Sequence, residues 1–373
     1  MVAAATMIYH SADAPAAQSE STLTKVVRMK STAESAFSKT DIERLLLEPS
    51  QADVEAARKL DGDLLLLGAG GKMGPSLARR AKRAIDRAGV KHRVIAVVRQ
   101  DRDGLGQLFH RENIDLLEAD LLTPESVQQL PPARNVVFMA GRKFGASSDQ
   151  PMTWATNVLA AGIAANRFRQ SRFVVFSTGN VYPLVPVDSG GATEETPPAP
   201  VGEYAQSALG RERIFEYFSN RYRIPVLIYR LNYSIDLRYG VLLDIAEKVA
   251  RREPIDLGMG FANVIWQGDA NSYCLRSFEL CASPARVLNV TGPETISVRE
   301  VAEQLGAVLG KAPLFTGKEA DTALLSNSSR ARELLGPPEV GLERLMEMTA
   351  YWIQTGGETI GKPTKFERRD GSF

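Results

Sequence analysis

The segment of this sequence best suited to chemistry is a glycine turn. The run Leu64-Leu65-Leu66-Leu67 leads straight into Gly68-Ala69-Gly70-Gly71-Lys72-Met73-Gly74, and Pro75 follows. A buried strand, a Gly-x-x-Gly-x-x-Gly turn and a helix in that order form an anion cradle. Gly68 permits the tight turn, Gly71 removes a side chain where a pyrophosphate approaches the backbone, and Gly74 lets helix and sheet pack closely. The helix N-terminus, from Lys72 and Met73 onward, offers unpaired N–H groups and a partial positive charge to phosphate. Pro75 is tolerated because first-turn N–H groups have no helical partner. The turn therefore predicts a bound dinucleotide. After the next apolar run stands Arg99, in Val97-Val98-Arg99-Gln100-Asp101-Arg102. An acidic residue there would bond the free 2′-hydroxyl of NAD, whereas an arginine pairs with the 2′-phosphate of NADP. Lys72 and Arg102 add to that positive field, and the expectation leans to NADP. Asp101 is the group that would serve NAD instead. Asp120, ending the third apolar run, is placed either at the adenine amino group or as a helix cap.

The elements that position this turn follow a strand–helix rhythm. Continuous apolar runs at 63–67, 93–98, 114–118, 135–139, 172–176 and 226–230 suit strands buried on both faces. Amphipathic stretches at 75–88, 124–130, 152–169 and 203–220 separate them. Six such units predict an α/β fold with a doubly wound parallel sheet. Ahead of it, residues 1 to about 38 read as a loosely docked arm. Thr40 with Glu43 reads as a capping box, and Ser50 as the cap of a second short helix. The expected division is an N-terminal extension over 1–62 and a dinucleotide-binding domain over 63–232, to which 262–282 returns. A mainly substrate-binding region over 233–355 and a polar tail over 356–373 complete it. Within 233–355, Ser297 and Glu300 cap a helix striped by Val298, Val301, Leu305 and Leu309, and a last helix runs over 342–354.

Composition excludes several classes. The chain has 373 residues, 44% of them hydrophobic and 24% charged, enough for a sizeable core. Lys plus Arg number 45 against 44 Asp plus Glu, with no basic block, which argues against nucleic-acid binding. The apolar runs are too short to cross a bilayer, and no basic residue precedes the weak apolar N-terminal stretch, so a cytoplasmic protein is expected. Cys274 and Cys281, placed on one helix, are expected as buried thiols, and the three scattered histidines show no metal-ligand spacing.

The order of these motifs resembles the NAD(P)-dependent epimerase/dehydratase family, the extended short-chain dehydrogenase/reductases, over roughly residues 63–350. Phe138-Met139-Ala140-Gly141 resembles the family's fourth strand and the small residues lining the cofactor, which implies Ala140 and Gly141 as cofactor contacts. Asn157 stands where the following helix usually bears an asparagine. Phe176-Ser177-Thr178-Gly179-Asn180-Val181-Tyr182 resembles the hydroxyl-rich end of the fifth strand, and a Pro-rich stretch then leads to Tyr204. Arg230-Leu231-Asn232-Tyr233 resembles the end of the sixth strand, and two later blocks, at 263–269 and 287–292, also match. The resemblance implies that Thr178 holds a substrate oxygen while Tyr204 exchanges a proton with it as the nicotinamide exchanges a hydride. It implies a small carbohydrate-type substrate, with Asn180, Tyr182, Asn232, Tyr233, Arg238 and Trp266 around the crevice, and a homodimer joined through the helices at 152–169 and 203–220.

One departure bears on the chemistry. The family pairs its tyrosine with a lysine four residues on, whose charge lowers a phenol pKa otherwise near 10. Here Tyr204-Ala205-Gln206-Ser207-Ala208 puts alanine at that place. Arg211 lies two helical turns from Tyr204, and Arg142 and Lys143 follow the fourth strand. Lys143 is the candidate catalytic base because a desolvated ammonium shifts its pKa readily; the alternative is a solvated loop or a phosphate clamp. Two readings stay open. One is an epimerase, dehydratase or reductase acting on a sugar or sugar nucleotide with an altered Tyr-xxx-Ala site, or an isomerase or lyase that needs Tyr204 only as an acid. The other is a non-catalytic NAD(P)-binding sensor or regulatory protein on a degenerate scaffold.

Overall fold

A computed structural model describes residues 37–102 and 104–372, so the arm expected over residues 1 to about 38 lies almost wholly outside the described residues. Seven parallel strands form the central sheet: β1 (Leu64–Leu67), β2 (Val94–Val98), β3 (Asp115–Glu118), β4 (Asn135–Phe138), β5 (Arg172–Thr178), β6 (Val226–Leu231) and β7 (Arg286–Val290). Their spatial order is β7-β6-β5-β4-β1-β2-β3. The last strand was not among the six expected strand–helix units.

Burial on both faces explains why the inner strands read as unbroken apolar runs, whereas β3, expected to be buried on both faces, lies at the sheet edge and exposes Asp115 and Glu118. Leu64 and Leu66 face one core, Leu65 and Leu67 the other, and all four are fully buried. On one face pack α1 (Lys39–Leu47), α2 (Gln51–Arg58), α3 (Gly74–Ala88) and the helix Gln267–Arg276. Arg80 of α3 is buried and pairs with Asp53 of α2 at 2.7 Å, and Asp53 also accepts from Ser272 Oγ at 2.5 Å. On the opposite face lie the alanine-rich helix Ala160–Arg167 and the long helix Gly202–Tyr222. The chain builds β1 to β3 outward on one side and then crosses back to β4. The order reverses between β1 and β4, and a crevice opens beyond their carboxyl ends.

Several local expectations are corrected. The capping box of α1 is Ser38 with Asp41, not Thr40 with Glu43: Ser38 is extended, and its side chain accepts from the Asp41 N–H. The Ser50 box is present, with Asp53 as its partner. The helix expected over 152–169 is interrupted by a wide π turn, Ala155–Leu159, between Gln150–Trp154 and Ala160–Arg167. Cys281 does not share a helix with Cys274, because that helix ends at Arg276 and a tighter turn follows. A second core, beyond the sheet, joins the helices Val241–Arg251, Val298–Leu309 and Leu342–Gln354. The polar tail returns to it: Phe366 is buried there, and Thr364 is buried beside Asp244.

Candidate functional site

Two contiguous clefts lie over the carboxyl edge of the sheet and share Met139, Gly141 and Lys143. The outer one, of about 430 Å³, runs over the glycine turn and the ends of β2 and β4. Gly68 sits at φ +92°, and a Cβ there would lie 2.6 Å from the Ala140 backbone. Strand end and turn are thus pressed together by the absence of that carbon. At Gly71 a Cβ would meet only the Gly68 carbonyl at 3.7 Å, so this stretch of backbone stays open to the cleft. A bare turn at the mouth of α3, in a cleft of this size, fits the diphosphate of a dinucleotide.

Gly68, Gly71, Arg99, Asp120, Ala140 and Gly141 line this outer cleft, as does Arg102. Asp101 does not. Its carboxylate accepts from the Gly106 N–H at 3.0 Å, closing the loop after β2. Asp120 accepts from the Leu122 N–H at 3.0 Å while its side chain stays at the rim. Gly74 is buried behind the turn, where a Cβ would lie 2.1 Å from the Ala69 carbonyl oxygen. Asn157 is also set back. Its Oδ1 accepts from the Arg142 N–H at 2.8 Å and its Nδ2 donates to Ser207 Oγ at 2.8 Å, so it braces the loop after β4 from beneath.

The inner cleft, of about 240 Å³, gathers Thr178, Asn180, Tyr204, Asn232, Tyr233 and Lys143. Thr178 Oγ1 accepts from the Asn180 N–H and from Asn180 Nδ2, at 3.2 and 3.0 Å, and is hydrogen-bonded to the Tyr204 phenol. Desolvation raises the Tyr204 phenol above its ordinary range, opposed by the Thr178 bond and by the Arg211 charge. Lys143 Nζ lies 6.0 Å from the Tyr204 ring and donates to the Thr364 carbonyl at 3.1 Å. Burial pushes this ammonium down to about 8 against the opposing pull of Asp244. Tyr233 is held in the left-handed region at φ +42°, which costs a tyrosine backbone strain at the cleft wall.

Three residues expected around the crevice are not brought to it. Tyr182 is buried and donates to Asn289 Oδ1 at 2.8 Å while accepting from Arg230 Nη1 at 2.7 Å. That arginine is clamped to Glu212 at 2.6 Å, so Tyr182 belongs to a buried polar network behind the wall. Trp266 is buried in the second core and donates Nε1–H to the Leu45 carbonyl of α1 at 3.3 Å. Arg238 turns outward onto Asp236 at 2.6 Å.

Other residues reach the inner cleft without a local signal. Lys72 and Met73, expected at the phosphates, line the inner cleft instead. Lys72 Nζ donates to the Ser234 carbonyl at 2.8 Å and lies 4.4 Å from the Tyr239 ring. Tyr239 and Thr364 join them from segments whose sequence carries no motif. Arg211 lines the floor and donates to the Phe176 carbonyl at 2.7 Å and to Asn157 Oδ1 at 2.9 Å. Ala208 faces elsewhere, packed with Val181, Tyr182 and Ala192. Among the described residues no group of three or more His, Cys, Asp or Glu is arranged to hold a metal ion, and no helix is long and apolar enough to cross a membrane.

A parallel sheet with this strand order and a glycine turn at its switch point defines a Rossmann-type fold. Residues 64–235 match the model of the NAD dependent epimerase/dehydratase family. No sequence among curated proteins matches the chain. Solved structures share its fold at low identity. MoeE5 in complex with UDP-glucuronic acid and NAD is 20% identical, with a TM-score of 0.64 over 79% of this chain and 100% of that one. The dTDP-glucose 4,6-dehydratase of Bacillus anthracis, in complex with NAD, is 17% identical, with a TM-score of 0.67 over 79% and 97%. The UDP-glucose 4-epimerase of Thermotoga maritima, with UDP-glucose, is 18% identical, with a TM-score of 0.63 over 79% and 99%.

Proposed function

We propose that this protein is an NAD(P)-dependent epimerase, dehydratase or reductase acting on a sugar or sugar nucleotide at an altered Tyr-xxx-Ala site. The observation that carries this reading is the convergence of Thr178, Tyr204 and Lys143 on one cleft that opens into the glycine-lined one. Gly68, Gly71, Ala140 and Gly141 hold the dinucleotide along the sheet edge. A nicotinamide held beside them would supply hydride chemistry. Thr178 orients the substrate oxygen. Tyr204, kept protonated by desolvation, donates its proton to that oxygen. Lys143, whose ammonium burial pushes down to about 8, takes the base role that Tyr204 cannot fill with alanine at position 208. Asn180, Asn232 and Tyr233 supply the directional hydrogen bonds a polyol needs. The sugar nucleotides named with the similar structures support the carbohydrate class.

NADP is the proposed cofactor, because Arg99 and Arg102 line the outer cleft while Asp101 is held in its loop by Gly106. A homodimer is proposed through the helices flanking the exposed Trp154, Leu159 and Tyr217. The decisive experiment titrates the purified protein with NADPH and NADH by fluorescence. It then follows nicotinamide absorbance on mixing the oxidised cofactor with a panel of sugar nucleotides. Reduction of the cofactor, abolished in Tyr204→Phe, supports an oxidoreductive enzyme. Tight cofactor binding with no turnover of any sugar would leave the non-catalytic sensor, and no cofactor binding would overturn both.

A further inference from the structure

The end of the chain folds back onto the inner cleft. Beyond the helix Leu342–Gln354, Ile360 donates its N–H to the Arg238 carbonyl at 2.9 Å. Thr364 then lines the cleft. Its N–H and hydroxyl donate to Asp244 at 2.7 and 2.5 Å, and its carbonyl accepts from Lys143 Nζ at 3.1 Å. Phe366 is buried in the second core. Arg369 donates to the Gly258 carbonyl at 3.1 Å and to the Thr322 carbonyl and hydroxyl, both at 2.7 Å. Gly371 ends against the start of the helix that carries Tyr204. A Cβ on Gly202 would lie 2.4 Å from the Gly371 carbonyl oxygen, and one on Gly371 would lie 2.2 Å from that of Val201. The tail thus bridges the gap between the second core and the Tyr204 helix. Pinned along its length by hydrogen bonds and a buried ring, it is a fixed wall and not a mobile lid.

Resting on the function proposed above, we propose that this tail limits the substrate to an unconjugated sugar or polyol of monosaccharide size and excludes a nucleotide-linked one. In that reading the cofactor fills the outer cleft, and the two clefts meet at Met139, Gly141 and Lys143. A substrate longer than one sugar ring must then leave the inner cleft between the second core and the Tyr204 helix. The tail closes that way, with Thr364 on the cleft, Arg369 tied to Thr322 and Gly371 pressed on Gly202. Size agrees with this. The inner cleft holds about 240 Å³, below the roughly 300–1,000 Å³ of sites that enclose drug-sized ligands. A free sugar fits such a space and presents every hydroxyl to the amides and hydroxyls of Thr178, Asn180 and Asn232. A uridine diphosphate on the same sugar would have to share the volume that tail atoms fill, and that clash, not a missing contact, sets the discrimination.

The test is calorimetry on the protein saturated with NADPH, or with NADH if that binds better. The probes are glucose, galactose, xylose and glucuronic acid, each free and as its UDP conjugate. At least one free sugar is expected to bind, and its conjugate to bind about a hundredfold more weakly. Arg369→Ala combined with Gly371→Val removes the arginine's bonds and drives a side chain against the Val201 carbonyl, releasing the end of the tail. In that variant amide exchange around Arg369 is expected to quicken, and the conjugate to gain about tenfold in affinity while the free sugar changes little. A UDP conjugate that bound the wild type as tightly as its free sugar would overturn the proposal and leave the enzyme reading standing. So would a variant whose tail exchanged faster yet excluded the conjugate as before, or a wild type that bound none of the free sugars. Should the variant not fold, the wild-type comparison decides alone. A wild type that took no nicotinamide nucleotide would instead bring down the reading on which the proposal rests.

Discussion

Tyr204 shows how a single residue's surroundings restrict what it can do. Desolvation favours its neutral phenol, and the opposing Thr178 bond and Arg211 charge do not reverse that. Such a phenol donates a proton more readily than it removes one. Tyr204→Phe should lower kcat about 10²- to 10⁴-fold while leaving the affinity for cofactor unchanged, as read by steady-state rates beside fluorescence titration. Placing a lysine at position 208 is not expected to activate the phenol. Ala208 packs against Val181, Tyr182 and Ala192, so Ala208→Lys places an ammonium in an apolar pocket and should lower Tm rather than create activity. Lys143 has its own pH signature. Its folded pKa is depressed to about 8 from 10.5. The folded state therefore binds fewer protons than the unfolded chain between those values, and stability owed to this group rises with pH across that window. Lys143→Met should accordingly raise Tm near neutrality, and the gain should shrink as pH approaches 10.5. At the cofactor end, Arg99→Asp should weaken NADPH about tenfold or more relative to NADH through loss of a charge-assisted pair; an undiminished NADPH preference would remove Arg99 from the site.

At the scale of elements, the site is assembled by segments that fix one another. The π turn Ala155–Leu159 lies where Asn157 meets the loop after β4. On the other side the returning tail places Thr364 against Lys143, and Asp244 of the helix Val241–Arg251 pins Thr364 through two hydrogen bonds to one carboxylate oxygen. Asp244→Ala should free the tail around residues 360–366. Faster amide exchange confined to that stretch, together with a reduced rate of turnover, is the expected outcome. Unchanged exchange would mean that Phe366 and the Lys143 bond to the Thr364 carbonyl suffice to anchor the tail.

At the scale of the molecule, an apolar surface stands bare among the described residues. Trp154, Leu159 and Tyr217 are exposed on neighbouring helices, beside a groove lined by Val158, Gly162, Ile163, Ile214 and Phe218. Apolar patches of this kind in soluble proteins mark association surfaces, and helix faces paired about a two-fold axis are a common solution. Light scattering on purified protein should give a dimer, and Leu159→Glu should shift it to monomer without unfolding it. A wild-type monomer at assay concentration would dispose of the idea.

Local chemistry made part of this protein legible from sequence alone. The strand Leu64–Leu67, its glycine turn and the helix after it are written in contiguous residues, because tight backbone approach leaves glycine no substitute. Parallel strands buried on both faces announce themselves as unbroken apolar runs, and Ser50 with Asp53 marks a helix start through hydrogen bonds three residues apart. What the sequence left undecided is where distant segments meet. Periodicity reports which face of an element is apolar and not what covers it. It therefore could not say that Trp266 packs under α1, that Tyr182 is held by Arg230, or that Thr364 returns to the inner cleft. Lys72 is the sharpest case. Its position in the turn is set by its neighbours in the chain, but its ammonium is aimed by the Ser234 carbonyl and the Tyr239 ring, which only the folded chain brings near.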